Sequence, residues 1–444
     1  MENASRSSRR DFLRNSSGIL AGAALASSLS VARSAHAAED GAIRVGLVGC
    51  GGRGRGAVVD CLHADENTKL VAVCDAFADR GAGAVAELAK QMPGRIDVPA
   101  DRVFAGFDGY QKVIDSQIDL VILATPPGFR PMHYKAAVAA GKHVFMEKPC
   151  CIDAPGYRSL VETNKLADEK NLKVGVGLQR HHQNCYLDLI KRIHDGEIGD
   201  LQYFRVYWNG AGVWNYPRKP GQTEMEYQMT NWYYFVWLCG DHICEQHIHN
   251  IDVANWIKGA HPVEAHGLGG REVRKFGPQG DYGHIYDHHA VEFTYADGTK
   301  TFSQCQHVGN CWPAISEHAT GTEGSADFTN KAYVIRDRKG KRVYRFRGDS
   351  PSPYRQEHVD LIRAIRSDEK YNEGHFGAEA SLSAVMGRMA TYSGKLITWD
   401  EAAAGQRDEM PKQFAWDAAP PVLPDENGSY EHAVAVPGRY DPYA

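Results

Sequence analysis

Apolar and polar positions alternate along the chain in two textures. Between residues 43 and 177, short apolar runs at 43–48, 69–74, 119–124, 143–146 and 172–177 recur, separated by longer stretches of helical period. Runs of this length, apolar throughout and bounded by turn residues, read as strands buried on both faces, and the alternation predicts a doubly wound parallel sheet. After Gly177 the texture changes. Runs rich in Tyr, Val and Phe at 201–208, 263–267, 289–295, 301–306 and 343–346 alternate more clearly, and Asp297-Gly298 is a hairpin signal between two of them. They predict a second, α+β domain with a largely antiparallel, open-faced sheet packed on helices by one face. Helices are expected at 155–170 and 186–195, around His133, and unbroken from Gly240 to Lys258; 210–230, rich in Gly, Pro, Trp and Tyr without a period, reads as a long loop.

The first residues carry an address. Ser8-Arg9-Arg10-Asp11-Phe12-Leu13-Arg14 is a twin-arginine pattern, followed by an apolar run at 18–32 and a small-x-small cleavage site, Ala35-His36-Ala37. Residues 1–37 are expected to form a signal peptide, 38–177 the doubly wound domain and 178–444 the α+β domain with C-terminal helices and tail. Export in the folded state by the twin-arginine machinery to a periplasmic or other extracytoplasmic location is expected. A net charge of −5 and a pI near 6.5 argue against nucleic acid, and no later run is long and apolar enough for stable membrane insertion. Ten cysteines without a CxxC pair do not form a disulfide scaffold.

Two places concentrate chemistry. The first strand runs straight into Gly49-Cys50-Gly51-Gly52-Arg53-Gly54, a GxGxxG turn opening a helix, and the second strand ends at Asp75. This context fits a dinucleotide: glycines admit the pyrophosphate to the backbone, the helix N-terminus attracts its charge, and the acid accepts from ribose hydroxyls while repelling a 2′-phosphate. NAD is therefore expected over NADP. Thr125 and Pro126, His133, and Glu147-Lys148 lie at or beyond strand ends on the same crevice side. The second place is 240–258, where Glu245, His249 and Asp252 share one helical face, an imidazole between two carboxylates and so a general base. A metal set from Glu245, His247, His249, His288 and His289 is the lesser reading, since His247 and His249 point apart on a helix; no metal is expected.

These motifs, together with Ala124-Thr125-Pro126-Pro127, Ala140-Gly141-Lys142-His143-Val144 leading into Glu147-Lys148-Pro149, Ser383–Arg388 and Trp399-Asp400, resemble the Gfo/Idh/MocA family, grouped around glucose-fructose oxidoreductase and inositol 2-dehydrogenase, and its exported members in particular. The resemblance implies a Rossmann domain joined to a sheet domain, with a sugar or cyclitol in the cleft between them. It implies that Lys148 contacts the reacting hydroxyl, that His249 is the base, and that Glu245 stands where the family has Asp. Gln179, Arg180 and Asp252 are expected to touch substrate, and a homodimer or tetramer is expected. The expected function is hydride transfer between a tightly held nicotinamide and a sugar or cyclitol hydroxyl. Two alternatives remain open: a redox-neutral glycosidase using a transient keto-sugar, and a non-catalytic sugar-binding protein.

Overall fold

Six parallel strands build the first layer: β1 (Ile43–Val48), β2 (Thr68–Asp75), β3 (Val103–Ala105), β4 (Leu120–Leu123), β5 (His143–Met146) and β6 (Val174–Val176), in the order β3-β2-β1-β4-β5-β6. The computed structural model describes residues 41–274 and 282–443; the leader at 1–37 lies outside the described residues. β4 and β6 are buried at every position, as strands covered on both faces must be. Strand order reverses between β1 and β4, and a ligand crevice opens at the carboxyl ends beside such a reversal. Gly49, just past β1, has φ +98°, and a Cβ there would lie 2.7 Å from the Ala124 backbone. The loops after β1 and β4 meet this closely because residue 49 is glycine.

The second layer is a nine-stranded sheet of β7 (Leu201–Gly210), β8 (Glu264–Gly270), β9 (His288–Thr294), β10 (Lys300–His307), β11 (Ala314–Gly321), β12 (Gly324–Thr329), β13 (Ala332–Asp337), β14 (Arg342–Arg345) and β15 (Ile397–Thr398). The order is β14-β13-β12-β11-β7-β10-β9-β8-β15, antiparallel except where β7 runs parallel to β10. Burial alternates along β10 and β12, so one face is packed on helices Ile248–Lys258 and Gly374–Ser393. The other leaves Leu268, Phe302, Trp312 and Val343 exposed.

Three differences from the sequence reading have physical causes. β11–β13 were not expected: β11 buries the small or polar residues Ser316, Glu317 and Ala319, and β12 and β13 carry only Phe328 and the pair Val334-Ile335 as large buried apolar side chains. The expected loop at 210–230 ends in a helix, Glu224–Thr230, started by a capping box between Thr223 and Glu226. The helix Pro353–Ser367, far beyond residue 178, returns to the first sheet, where Leu361 and Ile362 join the apolar cluster of Val45, Leu47 and Phe145.

Leu361→Ala should therefore destabilise the first layer. Removing a fully buried leucine leaves a cavity worth about 2–5 kcal/mol, read as a lower denaturant midpoint in equilibrium unfolding. A midpoint equal to wild type would mean that the helix does not belong to that core.

Candidate functional site

The loops at the carboxyl ends of the first sheet open into a cavity of about 590 Å³ that the break before helix Ile248–Lys258 closes from the other side. At its dinucleotide end, Cβ atoms on Gly51 or Gly52 would meet nothing within 4 Å, whereas one on Gly54 would run into the Gly49 carbonyl oxygen. The turn is thus tight beneath and open above, a cradle of bare backbone. Asp75 stands at the tip of β2, its oxygens accepting from the backbone N–H of Cys50 (2.8 Å) and of Phe77 (3.0 Å). Arg80 lies over the Phe77 ring at 4.2 Å, and its guanidinium is 4.0 Å from Asp75. A cradle that side chains would fill, with a fixed carboxylate one strand away, fits a dinucleotide with a ribose diol.

Other residues named from the sequence sit as follows. Gly49, Arg53, Thr125, Pro126, His133, Glu147 and Lys148 line the cavity. Cys50 is buried with its thiol on the Cys74 carbonyl (3.3 Å), and its contribution is the amide held by Asp75. His133 is 3.3 Å from Thr125 Oγ1; burial, reinforced by Arg130, pushes its pKa down to about 3, so its ring is neutral. Glu147 accepts from Arg53, which also reaches Glu357 (3.3 Å) and lies over Tyr354. Arg130 was not singled out by the sequence reading. Entirely buried, it donates to the carbonyls of Leu123 (2.7 Å), Thr125 (2.7 Å) and Glu147 (2.8 Å), clamping two strand ends together. Nothing in a lone arginine after Pro-Pro-Gly-Phe announces that role.

At the opposite end Lys148 Nζ donates to the Glu245 main-chain oxygen and lies 3.1 Å from its carboxylate. The unbroken helix expected across 240–258 is two helices, His242–Glu245 and Ile248–Lys258, parted at Gln246-His247. The break undoes the expected carboxylate–imidazole–carboxylate face. Glu245 turns to Lys148, while Asp252 pairs with His181 Nε2 (2.9 Å), whose ring is stacked between Trp256 and Phe376. His249 is left beside Trp208 with no carboxylate partner among the described residues. Burial first, then the charges of Lys148, Arg180 and Arg53, hold its pKa well below the ordinary imidazole value. The expectation that flanking acids favour its imidazolium is thus reversed. Burial raises the Glu245 carboxyl, against the opposing pull of Lys148.

Two expected substrate contacts lie off the cavity: Asp252 with His181, and Arg180, buried in an ion pair with Glu317. Gln179 lines it, as do Trp214, Trp232, Tyr233 and Gln246, of which only Trp214 falls in the stretch marked by its aromatics. The five-residue metal set is not brought together, since His247 bonds Ser303 (2.7 Å) and His289 bonds Thr391 (2.9 Å). Asp241, His242 and His289 do converge, but Asp241 already accepts from the His242 ring, the Tyr286 amide and the Tyr392 hydroxyl. That cluster is a hydrogen-bond node.

Residues 43–178 match the family model for Gfo/Idh/MocA oxidoreductases, described as an oxidoreductase family with an NAD-binding Rossmann fold. An inositol 2-dehydrogenase of Klebsiella pneumoniae is 34% identical over 157 residues, 35% of this chain and 43% of the relative. Another, from Pseudomonas fluorescens, is 28% identical over 273 residues, 60% and 69% of the two chains. The chain therefore spans less than half the length of the first of these relatives. A solved levoglucosan dehydrogenase complex with NADH and levoglucosan superposes with a TM-score of 0.65 at 17% identity, over 80% of this chain and 99% of the other, a likeness of fold. Residues 43–178, which carry the glycine cradle, the acid at the tip of β2 and the lysine beyond β5, thus match the NAD-binding Rossmann region of the Gfo/Idh/MocA oxidoreductases.

Proposed function

We propose that the protein transfers hydride between a nicotinamide dinucleotide, NAD in preference to NADP, and a hydroxyl-bearing carbon of a sugar or cyclitol. One observation carries the choice of substrate. Lys148, Gln179, Glu245, Gln246 and His249 bring polar side chains to the wall of the cavity, and among the described residues neither Gln246 Nε2 nor His249 Nε2, both open to it, has a hydrogen-bond partner. Each such group left unpaired when a ligand displaces water costs about 1–3 kcal/mol, and a ligand dense in hydroxyls supplies the missing partners where an apolar one does not. The inositol and levoglucosan in the relatives' names are molecules of that kind.

When bound, the nicotinamide would supply the hydride acceptor or donor. The Gly49–Gly54 cradle would hold the pyrophosphate, and Asp75 the adenosine ribose. His249 takes the proton of the reacting hydroxyl at Nε2, the ring nitrogen not sealed from the cavity, and being neutral it is ready to do so. Lys148 stabilises the alkoxide that develops, and the Glu245 contact fixes the ammonium in place. Trp208 and Trp232 provide apolar walls of the cavity. On the leader motif we also propose export of the folded protein by the twin-arginine route, and assembly as a dimer or tetramer. With cofactor loaded before export, residence near an hour needs a dissociation constant of roughly 0.3 nM at ordinary on-rates. The raised carboxyl of Glu245 suits the glycosidase alternative as an extra acid.

Lys148→Ala and His249→Ala should each keep NADH affinity within about threefold while kcat falls 10²–10⁴-fold. The assay is 340 nm absorbance across a sugar and cyclitol panel. Absence of any absorbance change in wild type leaves the sugar-binding alternative, and aglycone release from glycosides without net cofactor change favours the glycosidase. Asp75→Ala should weaken NAD about tenfold or more, roughly 1.4 kcal/mol, and leave NADP no weaker by calorimetry; tighter NADP than NAD in wild type would overturn the cofactor choice. Because the His249 pKa is lowered, the base stays unprotonated as pH falls through 6.5. The acid limb of kcat/KM should accordingly appear only below that value, and a limb at pH 7 would exclude His249 as base.

A further inference from the structure

Gln246 lines the cavity from the break between the two helices, and its side chain ends a buried hydrogen-bond chain. The chain starts at Arg274, 7% exposed, whose guanidinium donates to the carbonyl of Tyr286 and, from its other terminal nitrogen, to His307 Nδ1 at 2.8 Å. The second nitrogen of that ring, Nε2, is 2.7 Å from Gln246 Oε1. The polarity of every link follows from the first. A guanidinium can only donate, so Nδ1 is the lone-pair nitrogen of His307. A neutral imidazole then carries its proton on Nε2, and of the two ends of an amide only the oxygen can receive it.

His307 is also kept from taking a second proton. Burial, the ring of His242 at 4.4 Å and the Arg274 charge all push its pKa down, and Tyr233 stacks on it at 5.7 Å. The amide of Gln246 is thereby held one way round, oxygen inward on His307 and NH2 outward. Among the described residues that NH2 has no partner, and it is not sealed from the cavity.

We propose that Gln246 determines substrate specificity by donating a hydrogen bond from Nε2 to a substrate oxygen, with His307 and Arg274 as positioning residues that stop the amide from turning over. This rests on the hydride-transfer reading and narrows its substrate class. Gln246 and Lys148 are both donors on one cavity, so the position read by Gln246 must carry an acceptor, as a hydroxyl, keto or carboxylate oxygen does. A deoxy sugar offers nothing there, and an amino sugar offers an ammonium that can only donate.

The test takes the full-length protein with NAD and the positional deoxy and amino analogues of glucose and myo-inositol. Wild type should lose about tenfold or more in kcat/KM with analogues altered at one position. Gln246→Leu should erase that penalty. Gln246→Glu, which still accepts from His307 but presents an acceptor outward, should shift preference toward the amino analogue at the same position. His307→Leu should raise KM about three- to tenfold with kcat and NADH affinity within twofold; a merely structural role would move NADH affinity and the melting temperature as well. Unchanged discrimination at every position in both Gln246 variants overturns the proposal. Nitrogen-15 NMR of histidine-labelled protein, with His307 assigned through His307→Leu, reads the relay without any substrate. The Nε2–H tautomer should persist from pH 5 to 9, and an Nδ1–H tautomer or an imidazolium overturns the proposal. The expected tautomer in a protein that turns over no polyol supports the held amide and counts against the hydride-transfer reading alone.

Discussion

The structure hinges on a single charge contact between its two layers. Lys148 stands where β5 ends, and it is held by Glu245 at the end of a short helix from the other layer, through both the main-chain oxygen and the carboxylate. The sheet thus delivers a cation to the crevice, and the second layer decides where that cation points. Were Glu245 committed to His249, as one continuous helix would have it, the ammonium would lack its anchor and the imidazole would be drawn toward its charged form. The helix break assigns the acid to the lysine and leaves the histidine neutral. One local departure from regular backbone therefore anchors the lysine and keeps the neighbouring imidazole neutral.

Much of this was legible in the residues. Strands buried on both faces announce themselves as apolar runs, and the glycine turn with Asp75 at the next strand tip is a pattern whose geometry follows from its spacing. The second layer was legible only where its strands carry large apolar side chains. β11 passes for loop because small residues and a paired glutamate fill its buried positions, and a glutamate is admitted there only by Arg180, Tyr186 and Asn250 coming together around it. Such a meeting is a tertiary event that no window of sequence contains.

The candidate site divides along the same line. Residues fixed by a strand end or a turn, such as Gly51, Asp75 and Lys148, line the cavity, whereas helical spacing misled where the helix was not continuous. Asp252 is three residues from His249 and still belongs to His181. Arg180 follows Gln179 directly, yet one is buried on Glu317 and the other lines the cavity. Polar partners chosen across the fold, Arg130 with three carbonyls or His307 with Arg274, leave no trace in local pattern.

The return of helix Pro353–Ser367 to the first sheet has a consequence for the order of assembly. Val45, Leu47 and Phe145 are made early, and Leu361 and Ile362, which pack with them, emerge from the ribosome more than two hundred residues later. Until then part of the sheet's apolar face has no cover, and the nascent first half is a sticky intermediate of the kind that holdase chaperones engage. The first sheet is accordingly finished only by residues made long after its own strands.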